Sequence, residues 1–200
     1  MQSKNIRVVG ITGGIGSGKT TIAKVFKAME IPVYYADNEA KALMNRSKVI
    51  RRKLIALFGE SAYNEEGLNR SYLRTQIFND ASLLAKMNAI VHPKVASHFK
   101  KWINKQNSEY VLKEVAIIFE NNLQAQYDYI ITVVADEEHR IARVMKRDNI
   151  TKSEVQAIIS NQLSDEEKIK HSDFVIVNND LSEAKTQANI IHQQILKKIQ

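Results

Sequence analysis

Short, continuous apolar runs separated by stretches with helical spacing run through this chain of 200 residues. The runs cover residues 6–12, 33–35, 110–119, 129–135 and 174–177. Their continuity, in place of an alternation with polar residues, predicts strands buried on both faces. Ile22, Val25, Phe26 and Met29 follow the first run at i, i+3, i+4 and i+7, which predicts a helix there. Ala184, Ala188, Ile191 and Ile195 mark the inward face of a last helix over 181–199. Parallel neighbours need a crossover, and the crossover is usually a helix, so the pattern predicts an α/β fold with a parallel sheet flanked by helices.

Two segments depart from this rhythm. Residues 38–107 carry helical spacing, as at Ile50, Leu54 and Leu57, and no convincing strand. That is too long for a simple crossover. It predicts a mostly helical insertion between the second and third strands, forming a wall of a substrate cleft. Within it, His92-Pro93 reads as a helix boundary, because proline turns its predecessor away from the helical region. A histidine there has a second use as a donor to a substrate phosphate. Residues 137–171 are polar, charged and helical, with the composition of a lid. The remaining stretches, 1–37, 108–136 and 172–200, form the core. No repeat, low-complexity tract or linker divides the chain, which predicts a single unit.

Composition narrows the partners. With 29 basic and 22 acidic side chains the net charge is +7, which favours polyanions, nucleotides and nucleic acids alike. The basic residues are scattered, with Arg51-Arg52-Lys53 the densest run, and no basic patch is interleaved with aromatics. Nucleic acid is therefore not the expected partner. Cysteine is absent, which excludes disulfides, thiolate metal sites and cysteine nucleophiles. His92 and His98 lie six apart, and no histidine pair has the ligand spacing of structural zinc. No apolar run reaches the roughly 18 residues of a membrane span, and no signal-peptide core opens the sequence. A cytoplasmic protein is expected.

The chemistry concentrates after the first run. Gly13-Gly14-Ile15-Gly16-Ser17-Gly18-Lys19-Thr20 fits G-x-x-x-x-G-K-[ST], with a predicted strand before it and a predicted helix after it. Glycines let backbone N–H groups turn around phosphate oxygens, the lysine reaches the outer phosphates, and a hydroxyl such as that of Thr20 ligates magnesium. The helix N-terminus adds a positive end facing the anion. The motif predicts a bound nucleoside triphosphate with Mg2+ as its ion.

Other polar residues have two readings each. Asp37 follows the second strand, at the sheet edge where ligands bind in open α/β sheets. There a carboxylate serves as a general base or holds magnesium through water; it also serves as a cap for a helix starting at Asn38. Arg140, Arg143 and Arg147 share one helical face and suit a phosphate chain. The same helix opens on Asp136, Glu137 and Glu138 and closes on Arg143, Lys146 and Arg147, the charge order that complements a helix dipole. Glu114, within an apolar strand, fits either a place near magnesium or a wet strand edge.

The phosphate loop leaves several classes open. A guanine-nucleotide switch would carry D-x-x-G and N-K-x-D, whereas no Asp here precedes a Gly by three, and Asn104-Lys105-Gln106-Asn107 lacks the final acid. A nucleic-acid motor would end its third strand on paired acids. A small-molecule kinase remains. Residues 10–21, from Gly10 through Thr21, together with Tyr35-Ala36-Asp37, Val91-His92-Pro93, Ile117-Ile118-Phe119-Glu120 and Asp173-Phe174-Val175-Ile176-Val177-Asn178, resemble in order the motifs of the dephospho-coenzyme A kinases. Arg140 to Arg147 and Gln162 to Lys168 are similar to that family's lid. The likeness runs along almost the whole chain. It implies ATP-dependent phosphorylation of the ribose 3′-hydroxyl of dephospho-coenzyme A; the alternative is another nucleotide or nucleoside monophosphate kinase.

The resemblance implies Lys19, Asp37 and Arg143 as catalytic residues and Thr20 and Asp37 as the metal ligands. It implies nucleotide contacts from Gly14, Ile15, Gly16, Ser17, Gly18, Lys19, Thr20 and Thr21, with Arg147 added from the lid. ATP and dephospho-coenzyme A are the implied small-molecule partners; a monomer is expected, with weak oligomerisation as the alternative. Two positions depart from the family pattern, Ala116 in place of its proline and Tyr35 in place of its first aspartate.

Overall fold

The computed structural model describes residues 6–199, which fall into two compact units. One unit holds the described residues up to Tyr35 and those from Gln106 onward; the other is Ala36–Lys105.

The first unit begins with β1 (Arg7–Thr12), α1 (Lys19–Ala28) and β2 (Val33–Tyr35). The second unit contains α2 (Ala36–Arg46), α3 (Lys48–Phe58), a small hairpin of β3 (Tyr63–Asn64) and β4 (Gly67–Leu68), α4 (Arg70–Asn79) and α5 (Ser82–Ile103). The chain then returns with β5 (Tyr110–Glu114), β6 (Tyr129–Val134), α6 (Glu137–Asp148), α7 (Lys152–Ser160), α8 (Asp165–Lys170), β7 (Phe174–Val177) and α9 (Leu181–Ile199).

The five large strands form one sheet in the order β2-β5-β1-β6-β7, parallel throughout. β1 is central, with β5 and β2 on one side and β6 and β7 on the other. The strand order therefore switches direction at the carboxyl end of β1, the place where open α/β sheets leave a crevice. Val9, Ile11, Leu112, Ile131, Val133 and Ile176 cluster with Ile22, Ala23 and Phe26 of α1. Ala184, Ala188, Ile191 and Ile195 of α9 complete that core, each buried as the i, i+4, i+7, i+11 spacing predicts.

The third apolar run, expected as a strand over 110–119, leaves the sheet after Glu114. Val115 still donates its N–H to Ile11 O at 3.0 Å, but residues beyond it fold over the sheet, with Ile118 and Phe119 buried. Burial alone cannot distinguish strand from covering loop, so the run read as longer than the ladder. Gly10 lies beneath this cover: a Cβ there would stand 2.8 Å from Ile118 Cδ1 and 2.9 Å from Tyr127 Cδ1.

The second unit has its own core, with Leu43 and Met44 of α2, Ile50, Leu54 and Phe58 of α3, Leu73 of α4 and Val91 of α5. Ser47 and Asn69 cap α3 and α4 by accepting from the N–H groups of Ile50 and Tyr72. The expectation of no strand here is corrected by the β3–β4 hairpin, whose four residues are too few to show a period. The expected boundary at His92-Pro93 is corrected as well, because both residues lie inside α5. Proline in a helix interior costs about 3 kcal/mol or more. Burial of Val91, worth roughly 1.5–3 kcal/mol, and the partial burial of Met87, Ile90 and Val95 on the same helix offset it.

Gly10→Ala should lower stability by about 1–3 kcal/mol through overpacking against Ile118 and Tyr127. A urea midpoint unchanged from the parent would show that this cover yields freely.

Candidate active site

The loop between β1 and α1 is gripped from outside through its carbonyls. Arg140 Nε donates to Ile15 O at 3.0 Å, Arg143 Nη1 reaches Gly16 O at 3.4 Å, and Asn178 Nδ2 donates to Ser17 O at 2.7 Å. In a trans peptide the carbonyl of one residue and the N–H of the next point in opposite directions. Holding the carbonyls of Ile15 and Ser17 outward therefore directs the N–H groups of Gly16 and Gly18 to the loop's other side. The Ser17 N–H closes a turn onto Gly14 O at 3.2 Å.

This grip explains two of the glycines. Gly16 and Gly18 have φ of 78° and 88°, in the left-handed region. A Cβ on Gly16 would also stand 2.5 Å from Arg140 O, and one on Gly18 would strike Asn178 Nδ2. Gly18 is the residue before α1 and no side chain caps that helix, so its first N–H groups and its positive end face the loop. Lys19, Thr20 and Thr21 form the first turn of α1.

Thr20 Oγ1 donates to Glu114 Oε1 at 2.6 Å. Glu114 is the last residue of β5, 7% exposed, on an interior strand between β1 and β2. The wet-edge reading of Glu114 is thereby excluded. A hydroxyl that gives its proton to a carboxylate keeps an oxygen lone pair for another partner, as a metal-ligating threonine must. Among the described residues no three acidic, histidine or cysteine side chains cluster as a metal cage. Magnesium retains several waters and takes phosphate oxygens, so a hydroxyl with one carboxylate behind it fits its needs. Tyr35 pairs in register with Glu114; burial first, and the Glu114 charge second, raise its phenol pKa.

Asp37 is the second residue of α2, which starts at Ala36, and its side chain is exposed. It is therefore not a cap for a helix beginning at Asn38. It belongs to the second unit, whereas the loop, Thr20, Arg143 and Glu114 belong to the first.

The three arginines of α6 have different surroundings. Arg140 is buried and bonds both Ile15 O and Asp165 Oδ2, the latter at 2.9 Å. Arg143 adds a 2.8 Å bond to Asn178 O. Arg147 is exposed and forms a bidentate pair with Asp148, at 2.7 and 2.6 Å. Burial raises the Asp165 carboxyl above its ordinary range, and the charges of Arg140 and Lys168 counter part of that rise. Lys168, fully buried on α8, stands 3.0 Å from Glu120 Oε1, a charge contact whose geometry falls short of a hydrogen bond. Glu120 Oε1 also accepts from Leu163 N at 3.3 Å.

Asn178, Gln162, Glu120 and Lys168 were not singled out as site residues from the sequence. Asn178 left a trace, a polar residue closing an apolar strand. Gln162 and Lys168 bound the stretch that resembles the family's lid, but nothing local marks Lys168 as buried, since it lies in a run of charges. His92 lies inside α5 in the second unit.

The protein family described as dephospho-CoA kinase matches residues 7–184. A dephospho-CoA kinase of Bacteroides fragilis is 37% identical over 171 residues, covering 85% of this chain and 83% of its own. One from a gamma-proteobacterium is 38% identical over 192 residues, covering 95% and 98%. Among solved structures, TT1252 from Thermus thermophilus superposes with a TM-score of 0.88 at 30% identity, covering 96% of this chain and 99% of its own.

Arg140→Lys should cost about 1–3 kcal/mol, because an ammonium on a lysine stem cannot serve Ile15 O and Asp165 together and leaves one of them buried and unpaired. A denaturation curve coincident with the parent's would show that this guanidinium does not hold the loop.

Proposed function

The chain belongs to the dephospho-CoA kinase family, and from that premise we propose that it transfers the γ-phosphoryl group of ATP to the ribose 3′-hydroxyl of dephospho-coenzyme A, giving coenzyme A and ADP. The observation that carries this reading is the loop whose outer carbonyls are held by Arg140 and Asn178 while Thr20 is oriented by Glu114. It is a preorganised cradle for a polyphosphate.

In this reading Gly14, Ile15, Gly16, Ser17, Gly18, Thr20 and Thr21 line the nucleotide's phosphates, with Lys19 on the β- and γ-oxygens. The acceptor 3′-oxygen attacks the γ-phosphorus in line, the bond to the β,γ-bridging oxygen breaks, and ADP departs. Asp37 orients the hydroxyl and takes its proton. Arg143 and Arg147 face the transferring group when the lid, residues 137–171, closes and excludes water. Closure of that kind releases Arg147 from Asp148 and Arg143 from the carbonyls of Gly16 and Asn178. Residues 38–107 receive the acceptor.

Magnesium, when bound, neutralises charge on the β- and γ-phosphate oxygens. Thr20 and Asp37 would hold it, with Glu114 behind Thr20. The protein acts in the cytoplasm as a monomer; among the described residues no helix is long and apolar enough to cross a membrane.

Incubation with magnesium-ATP and dephospho-coenzyme A, AMP, UMP or dTMP, followed by mass spectrometry, should give phosphorylated product from dephospho-coenzyme A. Product from AMP with none from dephospho-coenzyme A overturns the reading. Asp37→Asn should cut turnover by roughly 10²- to 10⁴-fold with little change in ATP affinity. Activity within threefold of the parent removes Asp37 from the mechanism. Lys19→Ala should lose phosphoryl transfer even with Asp37 intact. In calorimetry, Glu114→Gln should weaken the magnesium dependence of ADP binding by about 10- to 100-fold, the usual cost of a lost supporting shell. Unchanged magnesium dependence would assign Glu114 to packing alone.

A further inference from the structure

Ile15 is held in three ways by the segment that follows β6. Its side chain packs against the cluster of Ile141, Val144 and Val155, with Ile159 beside it. Its carbonyl is taken by Arg140 Nε. Its N–H is taken by Gln162 Oε1 at 2.8 Å, across 147 residues of sequence. Gln162 lies two residues past the end of α7, after the C-cap Asn161, and three residues before Asp165, which in turn fixes Arg140.

The Gln162 bond decides how one peptide faces. With the N–H of Ile15 directed out to Gln162, the trans geometry sends the carbonyl of Gly14 to the opposite side. There it accepts the Ser17 N–H at 3.2 Å and closes the turn that shapes the loop. If this peptide rotated, the Gly14 carbonyl would leave Ser17 and the Ile15 N–H would lose its acceptor. Glycine at position 14 places little steric barrier against such a rotation. The side-chain packing of Ile15 holds the Cα but leaves the preceding peptide plane free to turn.

We propose that Gln162 is a positioning residue for the phosphate loop: its carbonyl oxygen locks the Gly14–Ile15 peptide so that the amides of Gly16 to Lys19 are aligned before nucleotide arrives. The inference rests on the reading of this loop as the ATP cradle. Gln162 acts through Ile15 and Gly14 and touches no reacting atom. Because it sits at the junction of α7 and α8, it also makes the order of that junction and the shape of the loop parts of one arrangement. Preorganisation of this kind lowers the ordering cost of binding, so its loss appears in nucleotide affinity.

The test compares the parent, Gln162→Leu, which removes the acceptor at similar size, and Gln162→Glu, which keeps an acceptor oxygen. Magnesium-ADP affinity is measured by calorimetry, the KM values for ATP and dephospho-coenzyme A by steady-state kinetics, and exchange of the Ile15 amide by NMR. The parent should show a protected Ile15 amide without nucleotide. Gln162→Leu should lose that protection and bind ADP about tenfold more weakly, the equivalent of about 1.4 kcal/mol. Its KM for ATP should rise and that for dephospho-coenzyme A should stay within twofold. Gln162→Glu should recover both protection and most of the affinity, a rescue that a merely structural role would not produce. An unprotected Ile15 amide in the parent, ADP affinity of Gln162→Leu within twofold of the parent's, or a Glu variant as weak as the Leu variant each overturns the proposal while leaving the kinase reading intact. A parent that binds no ADP removes both.

Discussion

The site depends on one constraint, that the carbonyls of Ile15, Gly16 and Ser17 in the phosphate loop are held from outside so that the amides following them face the other way. A chain of glycines has no intrinsic preference for this arrangement, since glycine gives up more conformational freedom than any other residue when ordered. The order comes from Arg140, Arg143 and Asn178, which belong to α6 and to the end of β7. The parallel sheet brings them there: β6 and β7 lie on one side of β1, so the segments leaving their carboxyl ends meet the loop leaving β1. On the other side β5 ends on Glu114, which reaches Thr20. A central strand flanked on both sides supplies the loop with two guanidinium groups and an amide from one direction and a carboxylate from the other.

The charges that do this are themselves buried and held by further charges. Arg140 is matched by Asp165, and Lys168 lies beside Glu120 at 3.0 Å. Removing one partner from such a set costs more than the set contributes, because a buried ion is left uncompensated. Their role is better seen as specification: Glu120 ties the segment after β5 to the backbone of Leu163, and Asp165 ties α8 to α6. Together they fix the base of the segment proposed as the lid at the places where it meets the loop.

Much of this was legible in the sequence, and the reasons for the remainder differ. The five apolar runs and the small residues at Ala184 and Ala188 announced the sheet and its covering helix, because burial on both faces leaves a direct mark on composition. The phosphate loop was legible because its chemistry restricts residue types. The end of β5 was not, since Val115, Ile118 and Phe119 are as buried in a covering loop as they would be in a strand. Pro93 misled because local propensity was outweighed by packing along α5. The outward grip was read incompletely: Arg140 and Arg143 were seen as phosphate ligands, while their bonds to Ile15, Gly16 and Asn178 depend on contacts across 35 residues or more, which no local pattern encodes.

The two departures from the family pattern fit the same physical account. At position 116 the contact that matters is a backbone carbonyl, which accepts from Thr12 Oγ1 at 3.1 Å. Alanine and proline both supply that carbonyl, and the missing N–H of proline would not be felt in this bond. At position 35 the residue stands in register with Glu114. An aspartate there would set a second carboxylate against a buried one, a repulsion that only a nearby cation relieves. Tyrosine brings no charge, and with its pKa raised by burial and by Glu114 it stays protonated. Glu114 is thus the one acid of this strand pair, and its bond to Thr20 forms without a competing carboxylate beside it.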